Sequence, residues 1–297
     1  MINLSGLDPG KTLVVIVGPT GVGKTNLAVR LARDYAVEVV SADSRQVYRY
    51  MDIGTAKPTA AERAAVPHHL VDVVDPDQPF TLADYQAAAC AAISDIQRRG
   101  KLPLLVGGTG LYVRAVTEGL TIPRVPPNEH LRAELAALAA ERGHDWLVAE
   151  VARVDPVVAL RERANTRRLI RALEVYRFTG RSLSAQQERR PPPYEVVWYG
   201  LTMERGALYA RIDERVDRMV EAGLVEEVRR LAERGYGWDL PSMSGLGYRQ
   251  IGEYLRGECD LATAVQRIKY ATHAFVRHQY SWFRLSDARI HWISDFG

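Results

Sequence analysis

The sequence predicts an α/β protein: a parallel sheet with helices on both faces, interrupted by an all-helical insertion domain. Three observations predict it. Short apolar strands alternate with amphipathic helices over residues 12 to 118, the pattern of a parallel sheet. Two of the strands run straight into glycine turns, at 18–25 and at 107–110. Between Pro123, Pro126 and Pro127 at one end and Pro191, Pro192 and Pro193 at the other, the chain reads as helix after helix. The expected division is a core of residues 1–120 and 194–297 and a helical insertion of residues 121–193.

The first strand, Val14 to Val17, feeds Gly18-Pro19-Thr20-Gly21-Val22-Gly23-Lys24-Thr25, which fits the phosphate-loop pattern G-x-x-x-x-G-K-T at every fixed position. Its glycines let several N–H groups point at one anion, and the helix opening at Lys24 adds the positive end of its dipole. Lys24 can reach the outer phosphates, and the Thr25 hydroxyl can ligate a magnesium ion. An ordinary strand-to-helix turn explains the glycines but not Lys24-Thr25. The core is therefore expected to be of the P-loop NTPase kind.

Val37 to Ser44 reads as the second strand and delivers Asp43 at its carboxyl end, where doubly wound sheets bind ligands. A carboxylate there can hold magnesium through water or take a proton from an attacking group; it can also simply cap the next turn. Arg45 to Thr59 is polar and aromatic, in the manner of a binding loop. Pro67 to Val74 is expected to be a further strand. His68 and His69, adjacent on a strand, point to opposite faces, which argues against a metal site. Thr81 to Gly100 is an amphipathic helix capped by Thr81, with Leu82, Tyr85, Ala89 and Ile93 as its apolar stripe. Leu102 to Tyr112 repeats strand, glycine turn and helix, and Thr109 either caps that helix or meets a ligand.

In the insertion, Arg163, Arg167 and Arg171 are spaced by four, with Arg168 beside them, as on one helix face that offers guanidinium groups to phosphates. Glu195 to Met203 returns as a strand, and Leu208 to Ala222 and Leu224 to Glu233 are helices joined at Gly223. Gly245-Leu246-Gly247 is a turn expected to present Tyr248 and Arg249. The last long helix is expected to place Leu261, Val265, Ile268, Phe275 and Trp282 on one stripe and Lys269, His273, Arg277 and Arg284 on the next. Such an aromatic and basic edge can stack a base and hold its backbone.

Composition narrows the function. The 297 residues carry a net charge of only +3, with 47% apolar and 25% charged residues, as in an ordinary soluble protein. Yet Arg161 to Arg190 holds nine arginines against Glu162, Glu174 and Glu188, and Gln266 to His291 is basic as well. Local basic segments in a nearly neutral chain suit a polyanion held at specific places. No apolar run approaches the ~20 residues of a membrane span, and the start lacks the pattern of a signal peptide. A cytoplasmic location and no membrane partner are expected. Cys90 and Cys259 have no zinc or disulfide spacing.

Taken together, GPTGVGKT (18–25), SADSRQVYRYMDIGTAKPT (41–59), PHHLVDVVDP (67–76), LVGGTGLYVRA (105–115), NTRRLIRALEVY (165–176), GLGYRQI (245–251) and RHQYSWFR (277–284) resemble the tRNA dimethylallyltransferase family, of the bacterial type. The resemblance implies transfer of a dimethylallyl group from its diphosphate to N6 of adenosine 37, beside the anticodon of tRNA. It implies Asp43 as the base, with Thr20 and Lys24 at the reacting centre, and diphosphate on Gly18, Pro19, Thr20, Gly21, Val22, Gly23, Lys24, Thr25 and, more weakly, Arg211. Magnesium would sit on Thr25 with diphosphate oxygens and water. The anticodon stem-loop would meet Asp43, Ser44, Arg45, Gln46, Thr109 and Arg132, then Arg167, Arg168, Leu169, Ile170 and Arg171. Further along it would meet Ser244, Gly245, Leu246, Gly247, Tyr248, Arg249, Arg277, His278, Gln279, Trp282 and Arg284. Where many relatives carry arginine in the last helix, this chain has His273 and His278, so RNA binding is expected to strengthen as pH falls through ~6.5. The working unit is expected to be a monomer. The rival is a small-molecule or nucleoside kinase, because the same loop binds ATP; it leaves the basic last helix and GLGYRQ without a role.

Overall fold

The computed structural model describes residues 2–187 and 189–294. The chain forms two compact units, one running to Thr117 and resuming at Pro192, the other spanning Glu118–Pro191. The first begins with β1 (Thr12–Val17), α1 (Lys24–Asp34), β2 (Val37–Ala42), α2 (Ala60–Ala65), β3 (His68–His69), α3 (Leu82–Arg98), β4 (Leu102–Gly107) and α4 (Gly110–Thr117). The second holds α5 (Glu129–Arg142), α6 (His144–Val154), α7 (Pro156–Arg161), α8 (Thr166–Thr179) and α9 (Leu183–Gln186). The first then finishes with β5 (Glu195–Leu201), α10 (Arg205–Glu221), α11 (Leu224–Glu233), α12 (Tyr248–Leu255), α13 (Leu261–Trp282) and β6 (Ile290–Ile293).

The six strands form one sheet in the order β3-β2-β4-β1-β5-β6, with every pairing parallel. β1, β2 and β4 are buried along their whole length, which is why most of their residues are apolar on both faces, with Thr12, Glu38 and Ser41 as buried polar exceptions. One face packs Val14, Ile16 and Leu104 against Leu27, Leu31, Leu208 and Ile212. The other packs Val15, Val17 and Leu105 against Tyr85, Ala89, Ile93 and Val113. α3 starts where its sequence says: the Thr81 side chain accepts from the Asp84 amide, and the Asp84 carboxylate accepts from the Thr81 amide, a reciprocal cap.

Three expectations change. The run Pro67 to Val74 is a strand only at His68–His69, because Leu70 and Asp72 take positive φ of 62° and 60°. This backbone is costly outside glycine, and here it delivers the Asp72 carboxylate to Lys57 and Arg63, 2.6 and 2.8 Å away. β6 was not expected, since four residues after a long helix give little periodicity to read. Arg163 does not extend the arginine face, because Asn165 caps α8 and the helix starts at Thr166; Arg163 instead pairs with Asp145.

The helical unit has its own core of Leu131, Leu135, Leu147, Val151, Val158, Leu169 and Leu173. The unit also buries a carboxylate, Glu174, 2% exposed. Arg132, Arg171 and the Asn128 amide all donate to it, and their hydrogen bonds hold its pKa below the usual carboxylate range against the opposing effect of burial.

Candidate active site

The phosphate loop connects β1 to α1 at the carboxyl edge of the sheet. Gly18, Gly21 and Gly23 all have positive φ, and a Cβ on Gly18 would lie 2.4 Å from the Leu201 carbonyl oxygen at the end of neighbouring β5. Only glycine lets the loop turn that close to the sheet. Lys24 folds its ammonium under the turn and donates to the Gly18 and Pro19 carbonyls at 2.9 and 2.8 Å. Desolvation there brings its pKa down to about 8, with Asp43 pulling it up and Arg215 pushing it down. The side chain is therefore electrostatically coupled to both.

Asp43 follows β2 and lies on the same edge. Its Oδ1 accepts the Arg45 amide at 2.8 Å and, more loosely, the Gln46 amide at 3.4 Å, so one oxygen caps the turn while Oδ2 is left to take a proton. The turn is held from two sides. Thr109, at the start of α4, accepts the Ser44 amide at 3.1 Å rather than capping its own helix. Gln46 accepts from the Ser41 hydroxyl and donates to the Thr55 and Ala56 carbonyls. The segment 52–54 is in turn tied to Glu227, whose carboxylate accepts the amides of Asp52, Ile53 and Gly54 and the Tyr248 hydroxyl, at 2.6 to 3.1 Å.

Arg215, not singled out from sequence, completes the site. It sits one turn beyond Arg211 on α10, a helix that packs on the loop: a Cβ on Gly21 would lie 3.1 Å from Ile212. Desolvation lowers the Arg215 pKa, Asp43 and Glu62 oppose this, and Arg211 and Arg218 add to it. The signal was present in the spacing, since Leu208 and Ile212 face the core and so turn the Arg211 and Arg215 edge beside it. Arg215 also borders a cavity of about 780 Å³ with Arg63, Arg218, Ile53, Pro58 and Met219. That cavity sets cationic groups and the Asp52 and Asp72 carboxylates against apolar walls.

Other expected site residues fall into three groups. Ser44, Arg45, Ser244, Arg249, Arg277, His278, Arg284, Arg167 and Arg168 are at least partly exposed; of these, Arg277 donates to the Tyr209 hydroxyl and Arg168 pairs with Glu162. A second group is packed away, against expectation. Leu169 and Ile170 belong to the core of the helical unit and Tyr248 is 1% exposed on Glu227, whereas Arg132 and Arg171 pair with Glu174 while staying partly exposed. Gln279 is 3% exposed and bonds the phosphate loop. The third group is half-committed: Trp282 packs against Gly110 and lies under Arg114, and His273 stacks on Tyr209 with Nε2 at 2.8 Å from Asp213 Oδ1.

A loop for an anion, two desolvated cations and one carboxylate at a single sheet edge fit group transfer from a phosphate ester, and comparison with known proteins narrows the choice. A model of the IPP transferase family matches residues 46–286, and one described as isopentenyl transferase matches residues 11–69. The tRNA dimethylallyltransferase of Roseiflexus sp. (strain RS-1) is 59% identical over 92% of this chain and 90% of its own; that of Chloroflexus aurantiacus is 55% identical over 92% of both. Among solved structures, the tRNA isopentenylpyrophosphate transferase of Bacillus halodurans superposes with a TM-score of 0.71 at 44% identity, over 96% of this chain and 90% of that one. A eukaryotic dimethylallyltransferase captured acting on tRNA superposes at 0.78 and 26% identity, over 96% of this chain and 74% of that one. With its phosphate loop, its paired acid and its parallel sheet all accounted for along nearly the full length, this chain belongs to the IPP transferase family.

Proposed function

We propose that the chain transfers a dimethylallyl group from dimethylallyl diphosphate to N6 of adenosine 37 in tRNA and releases diphosphate. The observation that carries the reading is that the phosphate loop holding Lys24 and the turn capped by Asp43 lie at one edge of the sheet, with Lys24 and Arg215 both within electrostatic reach of the Asp43 carboxylate. The new bond joins N6 to the first carbon of the donor, the carbon–oxygen bond to diphosphate breaks, and a proton leaves N6 for Asp43. As the carbon–oxygen bond breaks, negative charge grows on the leaving oxygens. Lys24, Arg215 and the loop amides are placed to neutralise it, and such fixed electrostatic help is the largest single contribution in many enzymes. An exocyclic amine is a weak nucleophile, and Asp43 Oδ2 accepts its proton as the bond forms.

Magnesium fits the donor set. The Thr25 hydroxyl is a hard oxygen ligand beside the anion loop, and no group of three carboxylate, histidine or cysteine side chains among the described residues forms a cage for a metal, which suits an ion held mainly by diphosphate and water. When bound, it would supply charge neutralisation of the leaving group. The family favours prenyl transfer over the kinase alternative, whose hallmark would be phosphoryl transfer from ATP.

For the RNA, we assign Ser44, Arg45, Gln46, Thr109, Ser244, Arg249, Arg277, His278 and Arg284 in the core, and Arg167 and Arg168 in the helical unit, as contacts with the anticodon stem-loop. The target base has to leave its stack to reach Asp43, as base-modifying enzymes require. One chain supplies every group invoked, so the working unit is a monomer. No helix among the described residues is long and apolar enough to cross a membrane, and we place the reaction in the cytoplasm with its tRNA. The test is mass analysis of tRNA nucleosides after incubation with dimethylallyl diphosphate and magnesium. A five-carbon adduct on adenosine is expected, and its absence, or phosphoryl transfer from ATP instead, overturns the reading.

A further inference from the structure

The phosphate loop is anchored by a side chain more than 250 residues away in sequence. Gln279, buried on the inner face of α13, accepts the Thr20 amide on Oε1 at 2.8 Å and donates from Nε2 to the Gly108 carbonyl at 3.2 Å. Both polar ends are committed and the residue is 3% exposed, so it has nothing left to offer a nucleic acid. Gly108 is built for this contact: a Cβ there would stand 2.1 Å from the Gln279 amide nitrogen and 3.4 Å from the Gly18 carbonyl oxygen. The two glycine turns, at the ends of the paired strands β1 and β4, thus meet across one amide side chain. Thr109 comes next, and its hydroxyl accepts the Ser44 amide in the turn that Asp43 caps.

We infer that Gln279 is a positioning residue for the donor, setting the phosphate loop against the turn that carries the base, and not a contact for the RNA. The physical argument is that a loop with three positive-φ glycines has little stiffness of its own, so the directions of its amides depend on external anchors. Thr20 is tied by Gln279, and its neighbours by Lys24. A buried amide–amide contact of this kind is directional, and its loss leaves the Thr20 N–H and the Gly108 carbonyl unpaired. The inference rests on the reading of the loop as the donor site.

The test compares the full-length protein with Gln279→Met, which keeps the volume and removes both hydrogen bonds, and with Gly108→Ala, which drives a methyl into the same amide from the opposite side. Inorganic diphosphate binding with magnesium is measured by calorimetry without RNA, and anticodon stem-loop binding is measured separately by anisotropy. Steady-state transfer then gives kcat and both KM values. Expected for both variants are a diphosphate affinity at least tenfold weaker, a matching rise in donor KM or fall in kcat, and stem-loop affinity within twofold of the parent. Stem-loop affinity falling tenfold with diphosphate binding unchanged overturns the inference and makes Gln279 an RNA contact. Unchanged diphosphate binding with only a lower melting temperature overturns it too, leaving a packing residue. Should Gln279→Met fail to fold, Gln279→Glu replaces it. That variant keeps an acceptor for Thr20 but sets a negative charge beside the loop, so it also weakens diphosphate binding; unweakened binding there counts against the inference. If the parent binds diphosphate but transfers no prenyl group, the proposed reaction fails while the role of Gln279 in anion binding stands.

Discussion

The two ends of β2 treat buried charge differently. Near its amino end, Glu38 is 2% exposed and is met by Arg99, by Lys101 at 2.7 Å and by His69 at 2.7 Å. Its pKa lies well below the usual carboxylate range, the Arg99 hydrogen bond being the largest cause. Just past the carboxyl end, Asp43 is one carboxylate set against Lys24 and Arg215, both of which desolvation has weakened as cations. At the first end the carboxylate is saturated by its partners. At the second the protein holds more positive charge than it neutralises, which is costly unless an anion arrives. A saturated cluster is a fastening; a cationic excess beside one acid is a place for a substrate.

The comparison breaks most sharply at the working end. Asp43→Ala is expected to lower kcat for dimethylallyl transfer by about 10² to 10⁴, the range for loss of a general base, with stem-loop binding nearly intact. A nucleoside assay showing full modification by this variant removes Asp43 from the mechanism. Lys24→Ala should cost about 10² to 10³ in kcat/KM, in line with loss of one charge-stabilising group. Arg215→Ala is expected to act mainly through the donor, raising its KM by roughly 10 to 100-fold. Arg215→Lys should recover only part of this, since a lysine lacks the planar fork that matches phosphate oxygens.

A milder probe is pH. Lys24 has a pKa of about 8, lowered from its ordinary value, so it is charged below that pH and neutral above it. Donor affinity should therefore weaken above pH 8, by about tenfold between pH 7 and pH 9 if only the ammonium form binds. Lys24→Arg, which stays charged, should flatten the profile; a flat profile in the parent contradicts the coupling drawn here. The smallest effect on catalysis is expected at the other end. Glu38→Ala removes the carboxylate from Arg99, Lys101 and His69, and should lower stability by about 2 kcal/mol while leaving turnover per folded molecule unchanged. Glu38 has a depressed pKa when folded, so its contribution is present above its unfolded value of 4.5 and is lost on acidification below it. The variant should lose less stability than the parent between pH 5 and pH 3, as denaturant midpoints would report.

The phosphate loop, the strands β1, β2, β4 and β5, the cap at Thr81 and the position of Asp43 were all legible along the chain, because each is signalled by neighbouring residues: turn geometry, a cap, or an apolar run long enough to be buried. What a helix does with its remaining faces is another matter. The family resemblance assigns Leu169, Ile170, Tyr248 and Gln279 to the RNA, yet each turns inward because a partner waits there: the core of the helical unit, Glu227, or the Thr20 amide. Arg215 shows the converse, an ordinary arginine in an amphipathic helix that becomes part of the site only because α10 lies across the phosphate loop. Local hydrogen bonding and periodicity are written in neighbouring residues. The pairing of charges and the burial of amides depend on distances through space, and those were settled when helices from the last third of the chain closed over the sheet.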